Sequence, residues 1–220
     1  FGLETFAAIA ARSVTGKPVV VKPSTAGRGT KLSVYAGLAR RLPSFWRRLW
    51  SGVDCWLSIS TQIRQDRLQM GVEPARIRDV PNGVDMTRYH PAAPEARAVL
   101  RTDAGLSEAD VVICSVSRLS PHKRVDVLVR TFLRLAERHP ELHLWVLGQG
   151  DQMEDLRSLV SAHPAGARVR LMGFVGPARI LPLLQAADVF ALVSRWEGLS
   201  NALLEAMACG LAPVVTDVSG

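Results

Sequence analysis

The sequence predicts an α/β chain of two Rossmann-like, doubly wound domains, both incomplete. Three observations carry this. From Val111 onward, short apolar runs alternate with amphipathic stretches at helical spacing. Residues 1–88 repeat that alternation more faintly. Between the two lies the only linker-like composition in the chain, Pro91, Ala92, Ala93 and Pro94, with a second polar stretch at 102–107. Parallel strands need crossover helices, so strand and helix patterns in strict alternation imply a parallel sheet covered on both faces.

In chain order, the first half reads as a helix over 3–14, a strand over 19–22, a loop bearing Gly and Ser, and a helical stretch over 31–50. A strand over 55–58, a helix over 61–70 and a strand near 77–80 complete it. The second half places strands at 111–116, 142–147, 169–172, 189–193 and 212–215. Its helices fall at 125–138, 153–162, 178–186 and 202–208. The expected division is a partial first domain over 1–90, a linker over 91–107 and a truncated second domain over 108–220. Two such halves facing one another would leave a cleft, a common place for ligands. The opening FGLETFAAIAARS reads as the middle of a helix and the ending VVTDVSG as the close of a strand, so truncation at both ends is expected.

Composition narrows the function classes. Of 220 residues, 48% are apolar and 21% charged, enough for real cores and unlike a disordered chain. No apolar run reaches the ~18 residues of a membrane span. Cys55, Cys114 and Cys209 are scattered among apolar neighbours, which fits neither a disulfide framework nor a zinc site. They read as buried thiols in a reducing cytoplasm. The net charge is +7, with Arg outnumbering Lys 23 to 4. That balance favours acidic partners such as phosphates or anionic lipid, although a GC-rich genome also enriches Arg.

Three constellations sit at carboxyl ends of predicted strands in the second half, where open α/β sheets bind ligands. The first is Ser117-Arg118-Leu119-Ser120-Pro121-His122-Lys123-Arg124. Arg118 and Lys123, bent round a Pro turn, can clamp a diphosphate, one as a planar fork and one as a point charge. The same residues also fit a solvated turn. The second is the Leu147-Gly148-Gln149-Gly150-Asp151 turn, whose glycines let backbone approach a ligand at a helix start; many strand-to-helix turns look alike. The third runs from Ser194 to Gly210 and contains Glu197-Gly198-Leu199-Ser200-Asn201 and Leu204-Glu205-Ala206-Met207-Ala208-Cys209-Gly210. Ser200 or Asn201 can cap the start of a short helix and Gly210 can end it. Glu205, one turn past Asn201 among apolar residues, would be costly to bury without partners. Sugar hydroxyls are suitable partners, and the amides of 198–201 would face a phosphate at the positive helix end. An exposed Glu on a surface helix is the alternative.

Together these motifs resemble the signature of retaining glycosyltransferase family 4. Glu197 and Glu205 match its paired glutamates, and Ser117-Arg118-Leu119 with His122-Lys123 matches its phosphate-binding stretch. Val80-Pro81-Asn82-Gly83-Val84-Asp85, then Arg88, Tyr89 and Pro91, resembles the segment closing its first domain. Residues 181–194 resemble the family's strand leading into the paired glutamates, so the match covers about residues 52–220, with four motifs in the family's order. The resemblance implies a GT-B fold and a nucleotide-sugar donor as substrate. Arg118, Lys123 and Glu197 would be catalytic, the two cations holding the diphosphate. Glu205 would accept from ribose hydroxyls, Gly198, Leu199 and Ser200 would touch sugar and phosphate, and the backbone of Gly173, Phe174 and Val175 would meet the base. Gly148 and Gly150 join the donor-binding set. Ser117 and Arg124 stand where the family often has Gly. No His follows the Val21-Lys22-Pro23-Ser24 segment, where many relatives carry one near the reacting sugar. The loop at 24–31 can contact phosphate or acceptor instead.

With two cations and a helix start available to the departing diphosphate, the expected reaction needs no cofactor and no metal ion. Bond cleavage would give an oxocarbenium-like centre attacked from the same face, with retention. The expected acceptor is a glycan or lipid-linked molecule, not nucleic acid, and the expected setting is the cytoplasm. The stretch 38–50, with four Arg beside Phe45, Trp46 and Trp50, reads as a basic, aromatic-bearing helix for an anionic membrane surface at the inner face. On that helix Phe45, Leu49 and Trp46 would share one face; the same aromatics also fit a core stripe. Two rivals are a GT-B nucleotide-sugar epimerase, which needs first-domain carboxylates and a His not found here, and a nucleotide-binding module without catalysis.

Overall fold

A computed structural model describes residues 3–23 and 42–218. The loop at 24–31, the start of the helical stretch expected at 31–50, and Arg40 and Arg41 lie outside the described residues. The described chain forms two compact units. One runs to Asn82 and includes Trp196–Ser200; the other is Gly83–Arg195 with Asn201–Asp217.

The first unit holds α1 (Leu3–Thr15), β1 (Val20–Val21), α2 (Pro43–Trp50), β2 (Cys55–Ser58), α3 (Thr61–Gln69) and β3 (Ile77–Asp79). Its strands pair in the order β1-β2-β3, all parallel. The core is aromatic. Trp50 stacks on Trp46 at 5.3 Å between ring centroids and meets Trp56 edge-on at 5.6 Å, amid Val53, Met70 and Ile77. Helix α2 therefore directs Trp46 and Trp50 inward, with Leu49 packed beside them. The face expected of Phe45, Leu49 and Trp46 is thus divided: Trp46 and Leu49 follow the core alternative and Phe45 stays outside. Burial of two indoles in a small core is worth more than any interfacial contact they could make. Phe45 stays 58% and Leu42 60% exposed, beside the exposed Arg47 and Arg48.

The second unit holds α4 (Pro94–Asp103), β4 (Val111–Val116), α5 (Val125–Ala136), β5 (Leu142–Leu147), α6 (Met153–Ser161) and β6 (Val169–Gly173). It continues with α7 (Pro177–Ala186), β7 (Val189–Leu192), α8 (Asn201–Ala208) and β8 (Ala212–Val215). The strand order is β6-β5-β4-β7-β8, every pair parallel. Alternation along β5 builds both cores: Trp145 and Leu147 pack on one face, Leu144 and Val146 on the other. This is the doubly wound α/β domain expected. Its order reverses at β4, which places the crevice at the carboxyl ends of β4 and β7.

The stretch expected as a linker, 91–107, instead contains α4, and the units meet in sequence at 82–83. Pro94 opens this helix, where a missing N–H costs nothing, and Glu95 complements the helix dipole. Helix α4 is tied to the amino end of the sheet by arginines. Arg101, 6% exposed, donates to the carbonyl oxygens of Ala186, Ser107 and Asp110 and to Asp188. Arg97 shares Asp188, whose other oxygen accepts from the Val112 amide at 2.8 Å.

Candidate functional site

At the carboxyl edge of the second sheet, the segment after β4 and the turn after β5 are joined backbone to backbone. The Ser117 amide donates to the Leu147 oxygen and the Leu119 amide to the Gln149 oxygen, both at 3.0 Å, and the Gln152 amide returns to Leu119. The Gly148 amide donates to the Gly173 oxygen at 2.8 Å. A Cβ on Gly148 would collide with the Ser117 carbonyl, and one on Gly150 with the Leu119 carbonyl. The neighbouring loop thus requires glycine at both positions. The start of α6 is likewise met by its own first-turn acids, Glu154 and Asp155. A helix end already complemented by carboxylates has little attraction left for a phosphate.

A cleft of about 980 Å³ opens on these loops, a volume that accommodates a nucleotide-sized ligand. It brings together six predicted residues: Arg118, Gly148, Gly150, Gly173, Phe174 and Val175. Arg118 is exposed, and among the described residues its side chain makes no hydrogen bond or ion pair. Phe174 presents a ring that is 71% exposed. Met153, Glu154, Arg157 and Ile180 also line the cleft; no motif marks them, because only the folded helices α6 and α7 bring them there.

The remaining predicted residues lie elsewhere. Lys123 ends a 3-10 turn at Pro121–Lys123, and Arg124 follows in the left-handed conformation at φ 54. That conformation explains why relatives favour Gly at the position: an L side chain there costs about 1 kcal/mol or more. The His122 carbonyl accepts from the Arg195 amide at 2.8 Å, linking this turn to the segment after β7.

Glu197, Gly198, Leu199 and Ser200 belong to the first unit. There the Asn82 side-chain amide donates to the Leu199 carbonyl at 2.8 Å, and the Leu199 side chain packs on Ile59 and Ile63. Packing occupies the leucine side chain, and the donor contact expected of Leu199 is one of its backbone. Among the described residues the Gly198 and Leu199 amides take no intramolecular hydrogen bond. Asn82 is a residue whose role the sequence did not disclose, since its partner is 117 positions away.

Helix α8 begins at Asn201 with no acid in its first turn. It ends as expected at Gly210, φ 85, where the Leu211 amide reaches the Ala206 oxygen and the Gly210 amide reaches Met207. Glu205 is half-buried on this helix, and burial raises its carboxyl above the ordinary range. The Tyr89 hydroxyl and the charge of Arg88 pull it the other way. Cys114 is pushed up to about 12 and Cys209 to about 11, burial being the main cause in each. All three cysteines are free thiols.

A parallel sheet with an unpaired arginine side chain and a cleft at its carboxyl edge is the arrangement in which open α/β sheets bind ligands. Residues 97–220 match the family model of glycosyl transferases group 1, and the chain belongs to that family. It is 31% identical over 205 residues to a GDP-mannose-dependent monoacylated alpha-(1-6)-phosphatidylinositol monomannoside mannosyltransferase of Corynebacterium glutamicum. That match covers 90% of this chain and 52% of the relative. It is 36% identical over 182 residues to the GDP-mannose-dependent alpha-(1-6)-phosphatidylinositol monomannoside mannosyltransferase of Mycolicibacterium smegmatis, covering 79% of this chain and 47% of that protein. The chain spans about half the length of these curated relatives. Its fold is that of GT-B glycosyltransferases. The crystal structure of Anabaena Alr3699/HepE in complex with UDP-glucose aligns at a TM-score of 0.78 and 23% identity, over 98% of this chain and 58% of that one.

Proposed function

We propose that the intact protein is a retaining glycosyltransferase of family 4, moving a sugar from a nucleoside-diphosphate sugar to a glycan or lipid-linked acceptor. The observation that carries this reading is Arg118, exposed and unpartnered at the end of β4, on a cleft of about 980 Å³. In the reaction the bond from the anomeric carbon to phosphate oxygen breaks, and the diphosphate leaves with the electron pair. The acceptor oxygen attacks from the same face, its proton passing to the departing phosphate. Arg118 and Lys123 neutralise the growing charge, so the scheme calls on no metal ion. Glu205 accepts from the ribose hydroxyls, while Glu197 and the amides of 198–200 meet sugar and phosphate. The backbone of Gly173, Phe174 and Val175 faces the base. The reading places the enzyme in the cytoplasm, with its cysteines as free thiols.

Incubating the full-length protein with labelled UDP- and GDP-sugars tests this. Label should move to an acceptor or be released slowly as free sugar. Conversion of the sugar without its release would indicate an epimerase, and binding without turnover a non-catalytic module. Glu205→Ala should keep the fold and weaken donor binding by roughly 1.5–3 kcal/mol, the worth of a charged hydrogen-bond partner. Unchanged donor affinity in calorimetry removes Glu205 from the site.

A second reading concerns the membrane. Leu42 and Phe45 are exposed beside Arg47 and Arg48 on α2, and both curated relatives are named for a phosphatidylinositol substrate. We read this face as resting on anionic lipid at the inner surface, each cation contributing about 1 kcal/mol. Co-sedimentation with anionic vesicles should fall when Arg47 and Arg48 become Gln. Equal sedimentation by the variant, or none by the native protein, makes these residues ordinary scaffold.

A further inference from the structure

Leu199 is gripped at two points within the first unit. Its side chain packs on Ile59, which follows β2, and on Ile63 of α3; Ile63 is fully buried and Ile59 is 4% exposed. Its carbonyl oxygen accepts from the Asn82 side-chain amide at 2.8 Å. Both grips are themselves anchored. The Ser60 side chain caps α3 by accepting from the Ile63 amide at 3.4 Å, and the Ser58 hydroxyl donates to the Ser60 carbonyl at 2.8 Å. The Val80 amide, two residues before Asn82, donates to the Ser58 carbonyl at 2.8 Å. The end of β2 thus holds both the apolar seat of Leu199 and the segment after β3 that carries Asn82.

Among the described residues the Gly198 and Leu199 amides take no intramolecular hydrogen bond, although Gly198 is a buried residue. A buried N–H without an acceptor costs free energy that an incoming acceptor would relieve. In a trans peptide the carbonyl and the following N–H point in opposite directions. A bond that fixes the Leu199 oxygen therefore also fixes which way the Ser200 amide points, away from Asn82. With the Leu199 side chain seated as well, the residue keeps little freedom to turn its own amide. We propose that Asn82 is a positioning residue: by holding the Leu199 carbonyl it keeps the amides of 198–200 turned toward the donor. This rests on the reading, given above, that those amides meet the donor's sugar and phosphate. One hydrogen bond adds little to the stability of a domain, but it biases a loop toward one conformer. Misplaced donors of this kind cost more in rate than in folding.

The test compares Asn82→Ala with Asn82→Asp in the full-length protein. Aspartate keeps the shape of the side chain but removes its N–H, setting an anionic oxygen against the Leu199 carbonyl. With the labelled UDP- and GDP-sugars, kcat should fall about tenfold to a hundredfold in both variants, and further in Asn82→Asp. Tm should fall by no more than about 4 °C, the size expected for one lost hydrogen bond. A second readout follows the loop itself. In protein isotopically labelled at glycine nitrogen alone, the Gly198 amide signal is identified by its loss in Gly198→Ala. That signal should shift when GDP or UDP is added to the native protein. Saturating nucleotide should move it less in either Asn82 variant.

Three results overturn the proposal. A Gly198 signal that ignores nucleotide in the native protein removes the amides from the site, and the role of Asn82 falls with them. A native signal that shifts, with kcat in both Asn82 variants within about twofold of native, leaves the amides in place and rejects Asn82 alone. A native signal that shifts, with Asn82→Asp near native and Asn82→Ala unstable, makes Asn82 a matter of shape and packing.

Discussion

Helices α6 and α8 both follow a glycine-bearing segment of the chain, and in sequence both look like anion sites. In the structure they differ in who already answers the helix dipole. Helix α6 carries Glu154 and Asp155 in its first turn, and the glycines before it are required by the backbone of 117–119. Helix α8 has no first-turn acid, and the Gly198 and Leu199 amides ahead of it take no internal hydrogen bond among the described residues. A glycine turn before a helix is therefore not itself a phosphate site. What remains unsatisfied after folding decides. The arginines divide the same way: Arg101 is fully engaged at the amino edge, whereas Arg118 at the carboxyl edge has no partner among the described residues.

The largest expected effect probes that division. Arg118→Ala should lower kcat about 10²-fold or more with little change in Tm, because its charge matters most as the diphosphate departs. Lys123→Ala should act in the same direction. A rise in KM alone would make the pair a binding device. Next comes the scaffold side: Gly150→Ala should destabilise the protein by roughly 2–4 kcal/mol in urea titration, the size of a strained or overpacked core change. A stable Gly150→Ala protein that has lost donor affinity would mean the turn faces a ligand after all. The smallest effects have opposite signs at the two helix starts. Asn201→Asp should stabilise α8 by roughly 0.3–1 kcal/mol and weaken nucleotide binding, since the new charge competes with phosphate. Asp155→Asn should cost α6 a similar roughly 0.3–1 kcal/mol and leave nucleotide binding unchanged.

Most of the fold was legible because buried parallel strands are short apolar runs, and the strands at 111–116 and 142–147 appear as expected. The linker was misread because Pro91 and Pro94 mimic loop composition, whereas Pro94 opens a helix whose anchors lie about the Asp188 carboxylate, far along the chain. The aromatic face of α2 was ambiguous for the reason that makes it stable: an amphipathic stripe suits a core as well as an interface. Local motifs marked Arg118, which the fold places on the cleft. The contact that positions the motif loop, from Asn82 to Leu199, joins distant segments and left no local pattern.

The most direct test of the account is a crystal structure of the full-length protein with a nucleoside diphosphate bound. The account predicts the diphosphate against the Arg118 guanidinium and the base against the backbone of Gly173–Val175, with the Gly148–Gly150 turn unmoved and making no phosphate contact through its amides. A diphosphate seated instead on the Gly148–Gly150 turn and the start of α6, with Arg118 in solvent, would contradict it.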